Sequence, residues 1–132
     1  MITTPQTKIF ILEDDAFMRD LLVRKFKVDG DIVETADRGE GTFEAIKKMM
    51  PDVTILDIMV AGGIDGLEVL RRMRADTVTR PLSVIILSNL SEKNQIDKAK
   101  ALGVTAYLVK ATMSIEKIAT EVSRQVQESR KK

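Results

Sequence analysis

The chain has 132 residues, 44% of them hydrophobic and 31% charged, with a formal net charge of +1; this is the profile of a globular chain with room for a core, not of a disordered one. The near balance of charge excludes the broad basic face on which nucleic-acid binding normally rests. Cysteine and histidine are both absent, which removes disulfides, thiolate and imidazole metal sites, the commonest general base and any phosphohistidine on the chain itself.

The opening stretch MITTPQTKIFILEDD lacks a charged segment ahead of its apolar run, and acids interrupt that run at once, so it does not read as a secretory leader. Ile9 to Leu12 is a short continuous apolar run, the pattern of a strand covered on both faces. Asp15 is placed to cap a first helix whose apolar face is Phe17, Leu21, Leu22 and Phe26. Ile32 to Val33 with Thr35, mixed with Asp31 and Glu34, reads as a weaker edge strand. Phe43, Ile46, Met49 and Met50 mark a second helix, stopped by Pro51.

Val53 to Leu56 is the third strand, and Leu67, Leu70 and Met73 form the stripe of a third helix opening after Asp65-Gly66. Val84 to Leu87 follows as a fourth strand. The fourth helix, Glu92 to Leu102, is thinly apolar (Ile96, Ala99, Leu102), and Gly103 closes it. Ala106 to Val109 is the fifth strand. Ser114 to about Gln127 is the fifth helix, with Ile115, Ile118, Ala119, Val122 and Val126 on one side. Arg130-Lys131-Lys132 reads as a frayed, solvated tail. No stretch approaches the about 18 apolar residues of a membrane span. The expectation is a single domain over residues 1–132 with its core at about residues 7–127, cytoplasmic, and monomeric or weakly associating.

Strands alternating with helices specify an α/β fold, a doubly wound open parallel sheet with helices on both faces. All strands then end along one edge, where such sheets bind ligands. The first run ends on Glu13-Asp14-Asp15, the third on Asp57, the fourth on Ser88-Asn89 and the fifth on Lys110. Taken singly, each has a structural explanation as cap, turn residue or surface charge. Together they place carboxylates, a hydroxyl and an ammonium at one edge, and an unpaired Asp57 ending an apolar strand would be costly. Clustered carboxylates call for a cation, and all-oxygen ligation suits Mg²⁺ or Mn²⁺. A carboxylate can be the nucleophile toward a phosphoryl group, with Lys and Ser neutralising and binding its oxygens.

The motifs ILEDD, PDVTILDIM, GIDGLEVLRRMR, VIILS and AYLVK stand in an order and spacing that resembles the receiver domain of two-component response regulators over essentially the whole chain. The resemblance implies a flavodoxin-like, five-stranded sheet of order 2-1-3-4-5 with five helices. It implies Asp57 as phosphoacceptor, Glu13 and Asp14 as the acidic pair with Asp14 a metal ligand, and Met59 offering its backbone carbonyl to the metal. Ser88 is then the switch hydroxyl, Lys110 the partner of the phosphate, and Tyr107 the aromatic that changes rotamer. Implied partners are a sensor histidine kinase or phosphotransfer protein docking near Phe17 and Met18, and a downstream protein target. Neither direct nucleic-acid binding nor a membrane is implied, and the state expected is a monomer or a phosphorylation-dependent dimer.

Three departures from that pattern stand out. Lys110-Ala111 replaces the usual Lys-Pro, so the peptide there is expected to be trans. Asn89 follows the hydroxyl where a small residue is usual. VAGGIDG carries one residue more than the usual loop, and its glycines predict a looser loop. Two other readings come from different classes: a docking module with the fold but no productive phosphorylation, supported by Asn89 and Ala111, and an aspartate-nucleophile phosphatase. The expectation is a switch rather than an enzyme.

Overall fold

The architecture is taken from a computed structural model that describes residues 6–131. Expectations for the first residues and for Lys132 lie outside the described residues. The elements alternate strictly: β1 (Lys8–Leu12), α1 (Ala16–Val28), β2 (Ile32–Ala36), α2 (Thr42–Met49), β3 (Val53–Leu56), α3 (Gly66–Ala75), β4 (Ser83–Ser88), α4 (Lys93–Ala101), β5 (Ala106–Val109), a 3₁₀ turn (Lys110–Thr112) and α5 (Ile115–Arg130). The strands form one parallel sheet of order β2-β1-β3-β4-β5, as the resemblance implied.

Because strand side chains alternate between faces, the apolar runs feed two separate cores. Ile9, Ile11, Val53 and Ile55 pack with Leu22 and Phe26 of α1 and Ile118, Val122 and Val126 of α5. Phe10, Leu12, Leu56 and Ile86 pack with Ile46 of α2, Leu70 and Met73 of α3 and Ala99 of α4. Each fully buried side chain of this size contributes roughly 1.5–3 kcal/mol, so the central strands form a stiff platform. β2 and β5 are the edges, and their residues are only partly covered.

Local signals set the helix boundaries. Asp15 caps α1 through Oδ1, which accepts from the N–H groups of Phe17 (2.9 Å) and Met18 (3.2 Å). Ser114 caps α5 by accepting from the N–H of Lys117 at 3.1 Å. Gly103, at φ 75°, turns the chain out of α4.

Three expectations are corrected. Phe17 is not part of the packed face of α1: it is 74% exposed, because the first turn of the helix overhangs the carboxyl edge of the sheet. Met18, four residues before Leu22, packs inward instead. The C-terminal end is not frayed at Arg130, since α5 runs through that residue and its guanidinium lies 3.7 Å from Asp52. The loop after β3 is not loose: Arg38 bridges Ala61, and a Glu40 Oε1 accepts from the N–H of Gly63 at 2.6 Å.

Candidate functional site

The register of the central strands builds the site. Leu12 lies opposite Leu56, and the ladder continues one step past both: the N–H of Asp57 donates to the Leu12 carbonyl and that of Glu13 to the Ala36 carbonyl, each at 3.0 Å. Glu13 and Asp57 thus leave the sheet side by side on fixed backbone. On the other flank Ser88 lies opposite Val109, which places Lys110 immediately beyond the last rung.

Lys110 reaches across to both acids. Its Nζ lies 2.5 Å from Glu13 Oε1 and 2.6 Å from Asp57 Oδ2. Glu13 and Asp57 are buried, at 1% and 5% exposure, so the ammonium is their principal charge compensation. The trans peptide expected at Lys110-Ala111 is what the structure has, and the missing proline does not shorten the lysine's reach.

The remaining oxygens are committed in an informative way. Glu13 Oε2 accepts from the N–H of Asp15 at 3.1 Å, and the Glu13 carbonyl accepts from Arg19 Nη1 at 2.9 Å. Asp57 Oδ1 accepts from the N–H of Met59 at 3.2 Å, while the Met59 side chain is exposed. The exposed Asp14 carboxylate has no hydrogen bond or ion pair among the described residues.

Burial raises the pKa of Glu13, and the hydrogen bond and charge of Lys110 only partly offset this. Burial also works against the charge on Lys110, but the hydrogen bonds to Asp57 and Glu13 outweigh it and its pKa rises. The lysine is therefore held in its charged form between the acids.

Glu13, Asp14 and Asp57 each present a carboxylate oxygen, all within 4.8 Å of one another. A compact, all-oxygen donor set with one arm free suits a hard divalent cation such as magnesium, which takes one or two carboxylates and completes its octahedron with other oxygens. Glu13 and Asp57 are each engaged through both oxygens, so Asp14 is the carboxylate of the three that is free among the described residues to take a cation.

Ser88 and Tyr107 are near the acids but not joined to them. The buried Ser88 Oγ accepts from the N–H of Leu90 at 3.3 Å, and the Tyr107 hydroxyl donates to the Leu90 carbonyl at 2.5 Å. Leu90 thus joins the hydroxyl residue to the aromatic. Tyr107 is half-buried and packs against the core.

Other contributors were not singled out from the sequence. Gly66, read there only as a helix start, touches the phosphoacceptor candidate: a Cβ at this position would lie 1.9 Å from the Asp57 carbonyl oxygen. Arg19 and Glu40 act over sequence distance, and no local pattern announces them.

The family model for the response regulator receiver domain matches residues 9–123. Among curated relatives, a protein-glutamate methylesterase/protein-glutamine glutaminase of Syntrophomonas wolfei is 34% identical over 115 residues, covering 84% of this chain and 32% of that protein. The sporulation initiation phosphotransferase F of Bacillus subtilis is 31% identical over 103 residues, covering 78% of this chain and 81% of that one. The chain spans less than half the length of several relatives it matches, from 32% to 45%. Among solved structures, a LuxR-family DNA-binding response regulator from Staphylococcus aureus superposes with a TM-score of 0.81 at 30% identity, covering 91% of this chain and 98% of that one.

Proposed function

Because the chain belongs to the response regulator receiver domain family, we propose that it is a phosphorylation-dependent signalling switch in which Asp57 accepts a phosphoryl group. The observation that carries this reading is the Lys110 ammonium seated 2.6 Å from Asp57 inside a cluster of three carboxylates. With no histidine on the chain, the phosphohistidine donor belongs to a partner, a sensor kinase or phosphotransfer protein. Exposed Phe17, beside the capping Asp15 at the mouth of the site, offers that partner an apolar contact.

In the transfer, an Asp57 carboxylate oxygen forms the new P–O bond while the donor's P–N bond breaks and the nitrogen keeps the electron pair. Lys110 turns from the carboxylate toward the phosphoryl oxygens and neutralises their charge. A magnesium ion held by Asp14, Asp57 and the Met59 carbonyl, with Glu13 beside it, would supply further charge neutralisation. The Ser88 hydroxyl, whose oxygen accepts from the Leu90 N–H, donates its O–H to a phosphoryl oxygen. A movement of Ser88 toward that oxygen is passed to Leu90, whose carbonyl is held by Tyr107, and so to the β4–α4 loop. The face formed by α4, β5 and α5 is the output, read by a downstream protein; the charge at Asp57 biases its two states.

The Lys110 ammonium 2.6 Å from Asp57 despite Ala111 in place of proline favours this reading over a docking module without phosphorylation. This reading makes the chain a switch rather than an enzyme toward other substrates. Incubation with acetyl phosphate and magnesium should label the protein with acid-labile phosphate, and Asp57→Asn should abolish it. Stoichiometric labelling of Asp57→Asn would overturn the assignment.

A further inference from the structure

Past the last rung between Ser88 and Val109, β4 and β5 part company. One chain continues as the loop into α4 and the other coils into the 3₁₀ turn that begins at Lys110. Backbone groups at such a divergence must find new partners or water. The N–H of Ala111 finds one: it donates to Asn89 Oδ1 at 3.1 Å. Among the described residues this is the one hydrogen bond that joins residues 89–92 to residues 110–113.

The two residues require each other. A proline at position 111 would have no N–H to give, and a small apolar residue at position 89 would have no acceptor to offer. Each is flanked by a residue of the site: Asn89 directly follows Ser88, and Ala111 directly follows Lys110. The bond therefore links the segment carrying the hydroxyl to the segment carrying the cation.

We propose that Asn89 is a positioning residue whose amide, fastened to the Ala111 N–H, makes Ser88 and Lys110 address Asp57 as one unit. The geometric part stands on the bond itself, while the kinetic part rests on the reading of Asp57 as phosphoacceptor. A solvent-exposed amide–carbonyl bond is worth little net, so the expected effect is modest, roughly threefold in rate.

The test is a double-mutant cycle on the full chain, with the rate of Asp57 labelling by acetyl phosphate and magnesium as one readout. Hydrogen exchange of the residue-111 amide is the other, where an amide is present. Asn89→Ala should slow labelling about threefold and speed exchange at Ala111. In an Ala111→Pro background, Asn89→Ala should change the labelling rate no further. Because proline also restricts Lys110, only the cost of Asn89→Ala within each background is compared. Ala111→Gly, which keeps the N–H, should leave the cost of Asn89→Ala intact. Equal costs in the alanine and proline backgrounds, or an Ala111 amide indifferent to Asn89→Ala, would overturn the proposal. A wild-type chain that takes no phosphoryl group overturns the functional reading and the kinetic role together, while the exchange measurement still decides whether the tie exists.

Discussion

Lys110 holds two buried carboxylates with one ammonium, and its removal exposes what that arrangement costs. Lys110→Ala leaves Glu13 and Asp57 facing each other without a cation. Breaking a fully buried pair costs about 3–5 kcal/mol, and the partial solvent access of this site brings the expectation down to about 2 kcal/mol. Magnesium should restore most of that loss in the variant and do less for the wild type, whose lysine already compensates the acids. Urea unfolding with and without magnesium checks this; equal sensitivity of both proteins to the ion would contradict it. Gly66 is the other residue on which the site leans. Its missing Cβ lets α3 begin against the Asp57 carbonyl, so Gly66→Ala must displace either the helix or the strand end. A displacement near 1 Å at a reacting group costs about a hundredfold in rate. Gly66→Ala should therefore lose labelling far out of proportion to any change in unfolding midpoint.

Elements are also joined by more exposed contacts, and one of these carries a pH dependence of its own. Asp76, just after α3, lies 2.8 Å from Lys47 of α2 and accepts from the N–H groups of Val78 (2.8 Å) and Thr79 (3.3 Å). The Lys47 hydrogen bond first, and then the Val78 N–H, hold its carboxyl below the usual carboxylate range. A carboxyl depressed in the folded state contributes stability that is present above its unfolded-state value and is lost as pH falls through its folded-state value. Asp76→Asn should thus lower stability near neutrality and narrow the gap to wild type as the solution is acidified, which unfolding midpoints across an acid pH series will show. The sheet and its ligand edge were legible because short apolar runs ending in Glu13, Asp57, Ser88 and Lys110 define parallel strands with aligned ends. Phe17 was misassigned because helical periodicity does not say where a helix outruns the sheet beneath it. The clasp of Glu40 on Gly63, and that of Asn89 on Ala111, pair residues far apart in sequence, so nothing local betrays them.

Taken whole, the molecule is a rigid two-sided sheet with its adjustable parts collected at one edge. The two cores bury the central strands beyond their first residues, whereas β5 is only half-covered and α4 buries a single alanine. On the proposed function, charge placed at Asp57 meets a stiff platform, and its effect is directed into the loops after β4 and β5 and from there into α4. On the proposed function, this division lets one fold respond to phosphorylation without any change in architecture. Borohydride reduction of the protein after treatment with acetyl phosphate and magnesium, followed by peptide mass mapping, tests the central claim most directly, since it converts an aspartyl phosphate to homoserine in place. Homoserine at position 57, dependent on magnesium and absent at positions 13 and 14, is the predicted result; an unmodified Asp57, or modification confined to another acid, would contradict it.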